Sequence, residues 1–145
     1  MNIIWLEDEL ETIEGIYNDI LEYCVTLVPC KCFASFSDEI DDENFEDIRS
    51  NIIIIDIQML FNIENNFTCF NETFKIHNKN YSGFEYFNYC IQDRFKNVTI
   101  IFYSSNSLEQ ATKDAKKYNI EKAYIVSKES STDLLNIIKD IQCNL

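Results

Sequence analysis

The chain has 145 residues, 46 % of them hydrophobic and 26 % charged, with only two glycines and one proline. That length fits one domain spanning 1–145, and the composition excludes a disordered chain, a collagen-like repeat and a Pro-rich linker. A formal charge of −13 repels the phosphate backbone, so direct binding to nucleic acid is not expected. A cation, or a protein with a basic patch, is the natural counterpart.

The N-terminus turns acidic at Glu7 and Asp8 before the apolar region of an export signal could form. No run approaches the roughly 18 apolar residues of a membrane span. A cytoplasmic protein with no membrane partner is therefore expected, and its six cysteines are expected to be free thiols. Cys30, Cys32, Cys69 and His77 do not have the spacing of a zinc site.

In chain order, the apolar run Ile3–Leu6 reads as a buried strand. Ile13, Ile16, Tyr17, Ile20, Leu21 and Cys24 form one face of an amphipathic helix. A short, weaker strand is expected around Cys30 to Phe36, followed by a helix capped by Ser37 with Ile40, Phe45 and Ile48 inward. Ile52–Ile55 is the strongest strand signal. Four β-branched residues without alternation suit a central strand covered on both faces, and the run ends at Asp56.

The segment from Phe61 to Tyr81 is too long for an ordinary connection. Its aromatic residues predict that it packs on the domain as an insertion, and deletion of 62–80 is expected to leave the fold standing. Phe84, Phe87, Ile91 and Phe95 mark a helix, Val98–Tyr103 a strand ending at Ser104, and Leu108, Ala111, Ala115 and Tyr118 another helix. Ala123–Val126 is a fifth strand, and Leu134, Leu135, Ile138 and Ile141 a last helix. Strands and helices thus alternate five times. Right-handed crossovers make this an α/β three-layer sandwich, with helices on both faces of a parallel five-stranded sheet.

Ligands of such a sheet bind at the carboxyl ends of its strands. Those ends carry Glu7 and Asp8, Asp56, Ser104 and Lys128. Carboxylates that close repel one another and call for a cation, and a hard divalent ion suits oxygen ligands. A carboxylate can also attack phosphorus, with a metal and an ammonium stabilising the phosphoryl oxygens.

These residues resemble the receiver domain of two-component response regulators. The matching pieces are Ile3–Asp8, Ile52–Asp56 followed by Ile57-Gln58-Met59, Ser82-Gly83, Ile100–Ser105 and Tyr124–Lys128. The resemblance implies a flavodoxin-like, CheY-like (βα)5 fold with strand order 2-1-3-4-5. It implies that Asp56 accepts a phosphoryl group from a histidine kinase or phosphotransfer protein. Glu7 (through water), Asp8, Asp56 and the backbone carbonyl of Gln58 would hold Mg²⁺, with Mn²⁺ or Ca²⁺ as substitutes. Lys128 would pair with Asp56 and then with the phosphoryl group, and Ser104 would move towards it. Such a domain is a switch and not a turnover enzyme; its output passes to an effector protein or to a homodimer.

The chain departs from the family pattern at Leu60 and Glu129, where prolines are usual, and at Ile125, where the switch aromatic is usual and Tyr124 lies one position early. A pseudo-receiver that acts through protein contacts alone is therefore the second reading. A metal-dependent hydrolase is the third, disfavoured because Gln58 stands where haloacid-dehalogenase-like phosphatases place a second aspartate.

Overall fold

A computed structural model describes residues 1–24, 26–41, 51–59 and 66–145. Five strands, β1 (Asn2–Leu6), β2 (Thr26–Cys30), β3 (Ile52–Asp56), β6 (Thr99–Ser104) and β7 (Tyr124–Ser127), form one sheet in the order β2-β1-β3-β6-β7. Every neighbouring pair in it is parallel. This is the expected flavodoxin-like 2-1-3-4-5 order. Among the described residues two further strands, β4 (Asn66–Cys69) and β5 (Glu72–Lys75), pair antiparallel as a separate hairpin.

The helices are α1 (Glu14–Leu21), α2 (Phe33–Ile40), α3 (Ser82–Tyr86), α4 (Leu108–Lys117) and α5 (Ser131–Cys143), with a 3-10 turn at Leu10–Ile13 and a π-helical turn at Phe87–Ile91 continuing α3. Strand side chains alternate between two cores, as the period of 2 requires. Ile3, Trp5, Ile52, Ile54, Ile101 and Tyr103 meet Ile20 of α1 and Leu134 and Ile138 of α5. Ile4, Leu6, Ile53, Ile55 and Phe102 meet Phe33 and Phe36 of α2, Phe84 of α3 and Ala111 of α4. All five residues of β3 are buried, so the isoleucine run occupies the doubly covered centre. Among the described residues no helix is long and apolar enough to cross a membrane.

Two expected elements are shifted. The second strand ends at Cys30, where it was expected to begin, and it contains Pro29. β2 lies at the sheet edge, where a missing N–H need not break a ladder, so proline does not exclude a strand there. The second helix begins at Phe33 with Cys32 as N-cap and no side-chain capping bond. Ser37 is therefore not a cap; it is buried in mid-helix with its hydroxyl 2.8 Å from the Tyr86 hydroxyl. The inward positions expected at Phe45 and Ile48, like the departure at Leu60, lie outside the described residues.

The insertion does pack on the domain. Its hairpin turns through Phe70 and Asn71, whose φ angles of 52° and 65° suit the two-residue turns that match strand twist. Cys69 and Ile76 are buried in the same core cluster as Phe33, Phe36 and Tyr86, and Phe74 stacks on Tyr89 at 5.3 Å. The buried Glu85 carboxylate of α3 accepts the backbone N–H groups of His77 and Asn78, the latter at 2.8 Å. These contacts of the described part of the segment argue against the expectation that 62–80 is dispensable for folding. Deleting the segment would expose Tyr86 and leave Glu85 without its donors. The expected result is a loss of about 4 kcal/mol, as for other large core truncations, read as a lower urea midpoint.

Candidate functional site

β1 and β3 are register partners from Ile3↔Ile52 to Leu6↔Ile55, so the residue after Leu6 emerges beside Asp56 at one sheet edge. Asp56 in turn faces Tyr103 across β6, and Ser104 faces Ser127 on β7. Glu7, Asp56, Ser104 and Lys128 are thereby delivered to one end of the sheet by backbone pairing alone.

The side chains converge. One carboxylate oxygen each of Glu7, Asp8 and Asp56 lie within 4.8 Å of one another. Lys128 Nζ is 2.8 Å from Glu7 Oε2 and 3.4 Å from Asp56 Oδ2. Asp56 Oδ1 accepts the Gln58 N–H at 3.2 Å, and Glu7 Oε1 accepts the Glu9 N–H at 3.2 Å. Ser104 is buried; its Oγ accepts the Asn106 N–H at 3.0 Å, which leaves its own O–H as a donor. The Gln58 carbonyl belongs to the turn that follows Asp56, while the Gln58 side chain accepts from Ser105 Oγ at 3.2 Å.

Burial governs the electrostatics. Glu7 is 0 % exposed and Asp56 3 %. Desolvation first, and the Glu7 charge second, push the Asp56 carboxyl up to about 8, against the opposing pull of Lys128 and the Gln58 N–H. Burial would lower the Lys128 ammonium, but Asp56 and Glu7 outweigh it and raise its pKa. One ammonium faces three carboxylates, so the pocket is net negative whenever Asp56 ionises. Hard oxygen donors with surplus negative charge fit a divalent cation such as Mg²⁺.

Glu7 is in addition a direct partner of Lys128, at a shorter distance than Asp56. Tyr124 is 49 % exposed, while Ile125 packs against the second core; neither supplies a buried aromatic on β7. No peptide bond among the described residues is cis, including that before Glu129.

Other residues support the site from behind. Gly83 N–H bonds to the Ile57 carbonyl at 3.0 Å, and Ser82 Oγ accepts the Met59 N–H at 2.9 Å. A Cβ on Gly83 would lie 2.1 Å from the Asp56 carbonyl oxygen. The small pair Ser82-Gly83 therefore lets α3 rest directly on the turn that carries Asp56. The Tyr103 ring lies 5.7 Å from Lys128 Nζ and packs edge-on against Trp5 at 5.6 Å. Tyr103 and Glu85 had no signal in the sequence beyond an aromatic in a strand and an acidic residue in a helix.

No protein-family model matches the sequence, and no curated protein matches it significantly. Solved structures do match. The RcsB response regulator of Salmonella typhimurium aligns with a TM-score of 0.65 and 17 % identity over 99 % of this chain and 60 % of its own. This chain thus spans about 60 % of the length of that protein. The receiver domain of the Francisella response regulator 1452 aligns with a TM-score of 0.64 and 11 % identity over 99 % of this chain and 97 % of its own. A response regulator from Colwellia psychrerythraea gives 0.61 and 11 % over 99 % and 98 %. The fold is that of a response-regulator receiver domain.

Proposed function

We propose that the protein is a phosphoacceptor receiver of a two-component phosphorelay, with Asp56 as the acceptor. The observation that carries this reading is the meeting of Asp56, Glu7, Asp8 and Lys128 at the carboxyl edge of a receiver-type sheet. Asp8, Asp56, Glu7 and the Gln58 carbonyl would hold Mg²⁺, which when bound supplies positive charge against the phosphoryl oxygens. Asp56 Oδ attacks phosphorus of a phosphohistidine on a kinase or phosphotransfer protein, and the P–N bond breaks as the P–O bond forms. Lys128 swings from its ion pairs to the phosphoryl oxygens, and Ser104 donates its O–H to them. The protein is in this reading a substrate and a switch and not a turnover enzyme, acting in the cytoplasm on an effector protein. Its charge of −13 favours a protein partner over DNA.

A second reading, a pseudo-receiver that is never phosphorylated, draws support from the closer pairing of Lys128 with Glu7 than with Asp56. Beryllofluoride with Mg²⁺ separates the two. The first reading expects a bound-fluoride resonance in the ¹⁹F spectrum of the wild-type protein and none with Asp56→Asn. Identical spectra for both proteins, with no bound signal, would leave the pseudo-receiver standing.

A further inference from the structure

Strand register and the period of 2 bring one aromatic ring to the pocket. Asp56 pairs with Tyr103 and Tyr103 with Val126, and register partners of a parallel sheet project from the same face. Trp5, paired with Ile54, shares that face, and Glu7 and Lys128 stand two positions beyond Trp5 and Val126. Tyr103 is 2 % exposed and belongs to the core cluster of Trp5, Ile54 and Leu134. Its ring lies where that core meets the charges. Lys128 Nζ sits over it, 5.7 Å from the centre, while standing 2.8 Å from Glu7 and 3.4 Å from Asp56.

The ring has little room to yield. Trp5, fully buried, meets it edge-on at 5.6 Å and 67°, an arrangement that aromatic quadrupoles favour. Backbone pairing to β3 and β7 fixes the strand that carries it.

We propose that Tyr103 is a positioning residue for the pocket, its ring holding the Lys128 ammonium against Glu7 and Asp56. The lysine stem is a flexible chain of four carbons, so two carboxylates alone restrain its charge more than its path. The ring supplies a third point of attachment. The face of a tyrosine ring is negative and attracts an ammonium, more strongly where water is thinned out; the Lys128 side chain is 19 % exposed. Because the ring attracts through its face, it does not use up the N–H donors that the two carboxylates need. Leucine would fill much of the same space and offer no such attraction. A part for Tyr103 in phosphoryl transfer rests on the reading of Asp56 as the acceptor: the ring then keeps the ammonium beside the pocket while its ion pairs are exchanged for phosphoryl oxygens. Its hold on Lys128 does not depend on that reading.

The test is a double-mutant cycle on the full chain, with wild type, Tyr103→Leu, Lys128→Met and the double variant, and Tyr103→Phe as the variant that keeps the ring. In urea unfolding, Tyr103→Leu should lower the folding equilibrium constant about fivefold more when Lys128 is present than when it is replaced. Tyr103→Phe should cost the same with and without Lys128. A ring that only fills the core costs equally in both backgrounds, and that result for Tyr103→Leu would overturn the proposal. Nuclear Overhauser contacts between the Lys128 ε-methylene and the Tyr103 ring protons are expected in the wild type, and their absence would overturn it without any variant. With beryllofluoride and Mg²⁺ as the probe, Tyr103→Leu should weaken binding about fivefold and Tyr103→Phe less than about twofold. Unchanged binding with Tyr103→Leu would remove the part in phosphoryl transfer. A wild type that binds no probe would count against Asp56 as the acceptor, and the unfolding cycle still decides the hold on Lys128.

Discussion

Replacing Gly83 with alanine is expected to cost about 3 kcal/mol of stability, the upper part of the range for overpacked sites, and to weaken the divalent-cation binding proposed for the pocket. The added methyl would meet the Asp56 carbonyl oxygen at 2.1 Å and the Ile57 Cα at 2.9 Å. Both are backbone atoms of the central strand and its turn, so no side chain can step aside. Either α3 lifts, losing the Gly83 N–H bond to Ile57 and the Met59 N–H bond to Ser82, or the Asp56 turn moves away from Glu7 and Lys128. A thermal midpoint lowered by about 10 °C is the corresponding reading for a domain of this size. Gly15→Ala is the control. Nothing lies within 4 Å of a Cβ there, and the position is in α1, so a gain of up to about 1 kcal/mol is expected. Equal midpoints for the two variants would contradict the tight-approach argument.

Asp56→Asn is expected to stabilise the metal-free protein at pH 8 while doing little at pH 4. In the folded state Asp56 keeps its proton to about pH 8, against an ordinary value of 3.8. The folded protein therefore binds more protons between those values, so the wild type loses stability as pH rises through that window. Lys128 is raised from 10.5, so its contribution is lost only above the window. The asparagine removes the buried negative charge beside Glu7 and leaves Lys128 to Glu7. A midpoint higher by about 5–10 °C at pH 8 is expected, shrinking as pH falls. If the pocket takes Mg²⁺ as proposed, millimolar Mg²⁺ should narrow the gap, since the ion would stabilise the ionised wild-type pocket and would find one carboxylate fewer in the variant. A pH-independent difference between the two proteins would refute the crowding of charge around Asp56.

The parts of this fold that were legible in the sequence are those set by strong local patterns. Ile52–Ile55 could only be a doubly buried strand, and the placing of Asp56, Glu7 and Lys128 at strand ends followed from where apolar runs stop. Elements governed by tertiary contact were not legible. Pro29 hides β2 because its edge position is a property of the sheet and not of the local sequence. α2 starts at Phe33 without a capping side chain, so the usual start signal pointed instead to Ser37. The β4–β5 hairpin lacks a glycine turn, and Phe70 takes the left-handed conformation disfavoured for a bulky residue. Its ring is held there by Arg94. The direct role of Glu7 was also hidden, because spacing along β1 cannot tell which of two adjacent carboxylates faces Lys128.

The edge-on contact of Trp5 with Tyr103 makes the protein its own optical gauge. Trp5 is the sole tryptophan, it is fully buried, and Glu7 lies two residues further on, just past the end of β1. Its neighbour's ring lies beneath the Lys128 ammonium. Any redistribution of charge among Lys128, Glu7 and Asp56 alters the field across that indole, so emission from a single fluorophore follows the state of the pocket without a label.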